Sequence, residues 1–384
     1  MRVSAGLSLG ALCAAIWLYL LVGRGRFWRG WTEPAAPVLD SYPAVLAVIP
    51  ARDEAAVIGR AVLSLFGQAY PGPLHVVVVD DHSRDGTAEV ARRAAADANA
   101  TDRLSIVPAP PLPAGWSGKV WAMEAGFRHA QAHATGAPYL LFTDADIEHG
   151  PDAVRRLVAR AEAGRLALVS LMVRLRTRSF AERALVPAFV FFFRMLYPFA
   201  WANDPASPVA AAAGGCMLLH RTALEAIGGF SVLRSALIDD CALARAVKPH
   251  GPIRLDVADS TASLRSYDTL GDMWRLIART AYDELRYSPL RLLAAVAGMA
   301  LVFLAPPLLA LFARGGAAWL GAVSWAAMAV AFVPCLRYYR ASLAWAPALP
   351  LIALFYTAAT VDSWRRHVVG RSGEWKGRVR GAAS

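Results

Sequence analysis

The chain is poor in charge and in cysteine. Asp, Glu, Lys and Arg make up 18% of its 384 residues, and only four residues are cysteine, where an ordinary soluble domain is roughly a quarter charged. Cys13, Cys216, Cys241 and Cys335 show no C-x-x-C spacing, which excludes a zinc ribbon and a disulfide-stapled scaffold and fits a reducing compartment. His129 and His133 stand four apart without the glutamate or third ligand of an H-E-x-x-H centre, which excludes that class of metalloenzyme. There is no internal repeat, no extended low-complexity tract and no Ser or Cys nucleophile signature. The net charge of +11 sits mainly at the flanks of apolar segments and not along one soluble stripe, which argues against nucleic acid as a partner.

Apolar residues fill the place of the missing charge. They form 57% of the chain, and the mean hydropathy is +0.39, more than a soluble core needs, so a lipid bilayer takes part of this surface. The surplus is concentrated in Leu7 to Val22, Leu290 to Phe312, Gly316 to Leu336 and Leu343 to Val361, each near the roughly 17–25 residues of a spanning helix. Residues 1–23 read as a retained anchor and not a signal peptide, because the positive charges follow the apolar run and no small-residue cleavage site closes it. Arg24, Arg26 and Arg29 after this anchor, with Arg286 and Arg291 before the next segment, place the intervening chain on the cytoplasmic side. The segments within 290–362 would then carry the basic tail, 363–384, across the membrane. Its Arg365, Arg366, Arg371, Lys376, Arg378 and Arg380 argue that it stays inside. Either one segment is re-entrant, with Pro306-Pro307 or Pro347 and Pro350 as the break, or the charge rule fails here.

Between the membrane segments, residues 44–285 alternate apolar strand-like runs with helical patterns: Val45 to Ile49, Leu74 to Val79, Leu104 to Val107 and Tyr139 to Phe142 as strands, with helices after them. Strands that are apolar along their whole length predict an α/β domain with a mostly parallel sheet covered on both faces. Ligands in such sheets bind beyond the carboxyl ends of the strands. Three polar clusters fall there: Pro50 to Glu54, Asp80 to Ser83, and Asp144-Ala145-Asp146. The stretch Phe180 to Trp201, dense in aromatics yet carrying Arg183 and Arg194, is laid flat on the bilayer; the alternative is an ordinary core helix.

Asp80-Asp81 is not explained by helix capping, which Asp85 and Thr87 serve. Adjacent carboxylates at the end of an apolar strand repel and lose hydration unless a cation or a hydrogen-bonding ligand meets them. Asp144-x-Asp146 at the end of another strand is suited to a hard divalent cation and, through it, a diphosphate. Ile49 to Glu54, Val79 to Thr87, Gly118-Lys119 with Gly126, and Asp144-Ala145-Asp146, taken in order, resemble a family 2 glycosyltransferase. The resemblance implies the GT-A fold, a Rossmann-like nucleotide-diphospho-sugar transferase domain with a mostly parallel sheet.

By that resemblance Asp81 and, with them, Pro50, Asp53 and Glu54 hold the nucleoside, and Lys119 lines the nucleotide pocket. Asp146 ligates Mn²⁺ or Mg²⁺, with Asp144 reaching the ribose or a metal-bound water. An inverting transfer needs a base for the acceptor hydroxyl. The family takes it from an acidic pair, matched by Ile238-Asp239-Asp240-Cys241-Ala242-Leu243, with Asp240 as base and Asp239 its neighbour. Gly214-Gly215 resembles the acceptor-side segment. The Gln/Arg-x-x-Arg-Trp motif of processive synthases is missing, with Trp274 to Thr280 in its place, so a single transfer is expected. The Gly115-Trp116-Ser117-Gly118-Lys119 loop and the segment Arg279 to Ser288 resemble the bacterial hopene-associated glycosyltransferases, and the tail Glu374 to Arg378 resembles tails of carotenoid and other lipid glycosyltransferases. That implies a nucleotide-sugar donor, with a lean to UDP, a membrane lipid acceptor of hopanoid type, and a multi-pass protein of the bacterial inner membrane. Polyprenyl phosphate, a carotenoid or a sphingolipid-like alcohol are the other acceptors, and a non-catalytic membrane scaffold is the reading outside enzymes.

Overall fold

A computed structural model describes residues 2–132, 136–234 and 239–369, and side chains within these except for residues 2–4 and 239. In chain order the elements are α1 (Arg2–Val22), β1 (Val45–Ala51), α2 (Ala55–Phe66), β2 (Leu74–Asp80), α3 (Thr87–Asp97), β3 (Leu104–Pro108), α4 (Gly118–Ala132), β4 (Tyr139–Thr143), β5 (Ile147–Glu148) and α5 (Ala153–Gly164). There follow β6 (Leu168–Arg174), α6 (Phe180–Leu196), α7 (Phe199–Ala202), β7 (Cys216–His220), α8 (Arg221–Ala226), α9 (Asp239–Val247), β8 (Ile253–Ser263) and α10 (Leu270–Glu284). The chain ends in α11 (Pro289–Met299), α12 (Ala305–Phe312), α13 (Gly315–Tyr338) and α14 (Leu349–Val368). It divides into an α/β unit, Thr32–Arg176 with Trp201–Ser266, and a helical unit made from the chain up to Trp31, Thr177–Ala200 and the helices from Tyr267 onward.

In the α/β unit an eight-stranded sheet has the order β3-β2-β1-β4-β7-β6-β8-β5. β3, β2, β1 and β4 run parallel, as the unbroken apolar strands predict, whereas β7 is antiparallel to both β4 and β6, and β5 to β8. The sheet is therefore mixed. Its reversal follows from connectivity: Thr143 ends β4 opposite Cys216, which begins β7, so the chain before β7 arrives at the edge from which β4 leaves. Alternate residues of β1, β2 and β4 feed two apolar layers. Ala47, Ile49, Val76 and Val78 pack under α2, α3 and α5, and Val48, Val77, Val79 and Phe142 pack under α4 and α9. Gly126 is what lets α4 lie so close to the sheet, because a Cβ there would stand 2.3 Å from Val48 Cγ1.

In the helical unit α1 packs along α13, and α12 along α13. Among the described residues, three stretches are long and apolar enough to cross a membrane: Ala5–Val22, Pro289–Phe312 and Gly315–Tyr338. Pro306-Pro307 does not break the second of them. A π-helical turn over Ala300–Leu304 carries α11 into α12. Pro306 has no N–H to return to the preceding turn, and the Trp17 indole donates to Val302 O instead, at 2.8 Å. The fourth expected segment, Leu343 to Val361, is not among the three; α14 starts only at Leu349 and ends in a charged turn with Arg365 and Arg366.

α6, placed on the bilayer surface by its composition, is instead a helix largely covered by its own unit. Ala184, Leu185, Val190 and Phe191 are buried, and the helix touches α10, α13 and α14. Arg194 is buried with it because its guanidinium donates to Gly30 O at 2.9 Å and lies 4.3 Å from the Trp31 ring. Backbone carbonyls and an aromatic face thus replace water around the charge.

Candidate active site

The polar clusters lie at the carboxyl ends of β1, β2 and β4, as their position in the sequence predicts. Pro50 is buried within β1, where the ladder pairs it with Val79. Beyond it, Asp53 takes a left-handed backbone (φ 49°), as does His82 (φ 56°) in the facing loop. These tight turns let the two loops lace together. Asp53 N donates to Ser83 Oγ at 3.0 Å, Arg84 N donates to Asp53 Oδ1 at 2.8 Å, and Glu54 N donates to Thr87 Oγ1 at 2.9 Å. Asp85 accepts from Ala55 N at 2.9 Å and from both the amide and hydroxyl of Thr87. Partial burial pushes its pKa up, but these hydrogen bonds outweigh that and hold the carboxyl below its ordinary value. Asp81 is 1% exposed and faces Arg52, whose Nη1 lies 3.6 Å from its carboxylate and 2.6 Å from its carbonyl. The guanidinium thus answers the charge repulsion that the adjacent acids imply.

The second half of the site is assembled from elements far apart in sequence. Lys119, in the first turn of α4, places Nζ 2.8 Å from Asp144 Oδ1 at the end of β4. Gly214 N donates to Asp240 Oδ2 at 2.8 Å, and Cys241 N to Asp240 Oδ1 at 2.7 Å. A Cβ at residue 214 would come within 3.2 Å of Asp240 Oδ2 and 3.4 Å of Lys119 Nζ. Glycine is therefore what allows the lysine, the β4 carboxylate and Asp240 to meet around one turn. The Asp239 side chain lies outside the described residues, as do Ile238, His133 and the tail from residue 370.

Asp146 is buried and accepts from Ser263 Oγ at 2.8 Å and Arg265 Nε at 3.1 Å, both on Oδ2. Arg265 also reaches Glu54 Oε1 at 3.0 Å. This arginine is a site residue that the sequence reading missed. It follows the long strand β8 and stands 119 positions from Asp146, with no local motif to single it out. Among the described residues no group of three or more His, Cys, Asp and Glu side chains is placed to hold a metal ion. Two carboxylates one residue apart nonetheless fit a hard cation of the Mg²⁺ or Mn²⁺ class, which takes one or two protein carboxylates and completes its shell with substrate phosphates and water. Asp144 is a third exposed, and Asp146 keeps Oδ1 outside both of its bonds.

Residues 46–228 match the family model described as glycosyl transferase family 2, a stretch that takes in the loops after β1, β2 and β4 and the Gly214-Gly215 turn. No curated protein matches the chain. Among solved structures, a mannosyltransferase from Pyrobaculum calidifontis, in complex with GDP-Man and Mn²⁺, is 20% identical with a TM-score of 0.54, covering 94% of this chain and 99% of its own. Two others align more loosely. TarS of S. aureus is 12% identical over 84% of this chain and 54% of its own, with a TM-score of 0.41. A glucosyl-3-phosphoglycerate synthase from Mycobacterium tuberculosis, with Mg²⁺ and uridine diphosphate, is 19% identical over 61% of this chain and 77% of its own, with a TM-score of 0.39. The α/β unit has the GT-A fold with a mixed sheet.

Proposed function

We propose that this chain is a membrane-bound, inverting glycosyltransferase of family 2 that moves one sugar from a nucleoside diphosphate sugar to a membrane lipid. One observation carries the reading: Lys119, Asp144 and Asp240, from three separate elements, close on the Gly214-Gly215 turn beyond the carboxyl end of the central strand β4. In the proposed division of labour, Asp81, Asp53, Glu54 and Pro50 form the nucleoside side. Asp53 acts by shaping its loop, since its carboxylate caps Arg84 N. Lys119 holds Asp144 and offers a positive charge beside the departing diphosphate.

Asp144 and Asp146 would hold Mn²⁺ or Mg²⁺, which when bound supplies positive charge to offset that building on the nucleoside diphosphate. Asp240 is the base. The Gly214 and Cys241 amides fix its two oxygens, and the carboxylate takes the acceptor's hydroxyl proton. Asp239 is its neighbour in the acidic pair.

The bilayer-crossing helices support an acceptor that lives in lipid, and the Gly115 to Lys119 loop supports a hopanoid. Two crossings, Pro289–Phe312 and Gly315–Tyr338, would return the chain to the side it left, which agrees with Arg365 and Arg366 lying on the cytoplasmic side. The test incubates the purified full chain and Mn²⁺ with a panel of nucleotide sugars and extracted bacterial lipids, with products identified by mass. A hexosylated hopanoid is the expected product. Transfer to a polyprenyl phosphate and not to hopanoids overturns the acceptor class, and binding of no nucleotide sugar overturns the enzyme.

A further inference from the structure

We propose that His149 is a positioning residue for the reaction side of this site, acting through Thr143 and the Gly214-Gly215 turn; the inference rests on Asp240 being the base. His149, 4% exposed, follows β5, and its Nε2 lies 3.0 Å from Thr143 Oγ1. Thr143 Oγ1 is 2.9 Å from Gly215 O, which also accepts from Asp144 N at 3.3 Å. The next residue back, Gly214, donates its N–H to Asp240 Oδ2. A line of contacts therefore runs from the imidazole to the strand that carries the metal carboxylates, and on to the turn that holds the base.

The hydrogens in this line can be assigned by counting. The Gly215 carbonyl only accepts, so the single Thr143 hydroxyl hydrogen goes to it, and His149 must donate from Nε2. Nδ1 then carries the lone pair, buried with no partner among the described residues. That is a cost which an aliphatic side chain of similar size would not bear. The ring also has to be neutral to keep one bare nitrogen, and burial holds its pKa down at about 4. A histidine kept at such a place does more than fill space. By donating to Thr143 and not accepting from it, His149 leaves the hydroxyl one of its two partners to donate to, Gly215 O. That fixes the peptide whose neighbour grips Asp240, and holds Asp144 on the same carbonyl.

The test compares His149→Leu and Thr143→Val, which remove the bonds, with His149→Gln and Thr143→Ser, which keep a donor and a hydroxyl, and includes Asp240→Asn. Two measurements are made on the full chain. One is amide hydrogen exchange of the peptide carrying Gly214 and Gly215; the other is kcat and donor KM. Faster exchange is expected in the Leu and Val variants and near wild-type exchange in Gln and Ser. kcat should fall roughly 10- to 100-fold in the first pair at nearly constant donor KM, with recovery in the second. Exchange unchanged in all four variants, or raised equally in all four, overturns the relay whatever the assay reads. Exchange that follows the expected pattern without any fall in kcat overturns its positioning role. Full activity in Asp240→Asn overturns the base assignment instead, and the exchange pattern still decides the relay.

Discussion

The loops after β1 and β2 are stitched to each other by side-chain to backbone bonds at Asp53, Ser83, Thr87 and Asp85. The segments after β4 and before β7 meet through contacts that include Lys119 with Asp144, Thr143 and Asp144 with Gly215, and Gly214 with Asp240. The first half behaves as a preformed socket in which most polar groups already serve the fold. In the second half Lys119, Asp144 and Asp240 converge on a turn with no side chain, and in the proposed reaction they act on the substrate. Substitutions in the socket should therefore cost stability, and those at the turn should cost rate.

The largest effect is expected at Asp240. Asp240→Asn should lower kcat by roughly 10²- to 10⁴-fold, the range of general base catalysis, with donor KM little changed; initial rates on the purified protein check this. Next comes the metal. Chelation, or Asp146→Ala, should weaken nucleoside diphosphate binding by at least about tenfold, consistent with several kcal/mol of lost charge stabilisation, as read by calorimetry with and without Mn²⁺. Gly214→Ala should follow with a loss in kcat of about tenfold and an unchanged melting temperature. The added methyl would stand 3.2 Å from Asp240 Oδ2, and displaced catalytic groups lose rate steeply.

Asp85→Ala is the smallest. It should destabilise the fold by about 1 kcal/mol, as the loss of a helix cap does, and leave turnover intact. Asp85 is held below its ordinary pKa in the folded chain, so its contribution is present at neutral pH and fades as pH falls below about 4 toward the folded value. The gap between wild type and variant in thermal unfolding should close on acidification. An Asp85→Ala protein with native stability and no turnover would erase the distinction between socket and turn.

The socket was legible in the sequence because its parts are local. Each apolar run ends in its own polar cluster, and Asp85 and Thr87 announce a helix start within three residues. Asp240 was singled out by the resemblance of Asp239-Asp240 to an acidic pair, not by any local rule. Arg265 was missed because no pattern precedes it, and its role is defined by Asp146 and Glu54, which lie in the loops after β4 and β1. The burial of α6 was likewise hidden, since a helix rich in aromatics reads the same whether lipid or other helices cover it. The reversal of β7 escaped for a similar reason: an apolar strand carries no mark of its direction.

The sequence by itself determined the α/β alternation, the apolar helices and the acids at the strand ends. These follow from hydrophobic periodicity and residue chemistry, which act over a few neighbouring positions. Only the tertiary structure decided that Lys119, Asp144 and Asp240 meet at the Gly214-Gly215 turn, that an arginine sits against Asp146, and that α11 and α12 join across two prolines. Those outcomes depend on which strands and helices become neighbours, and that is settled by burying the whole apolar surface at once.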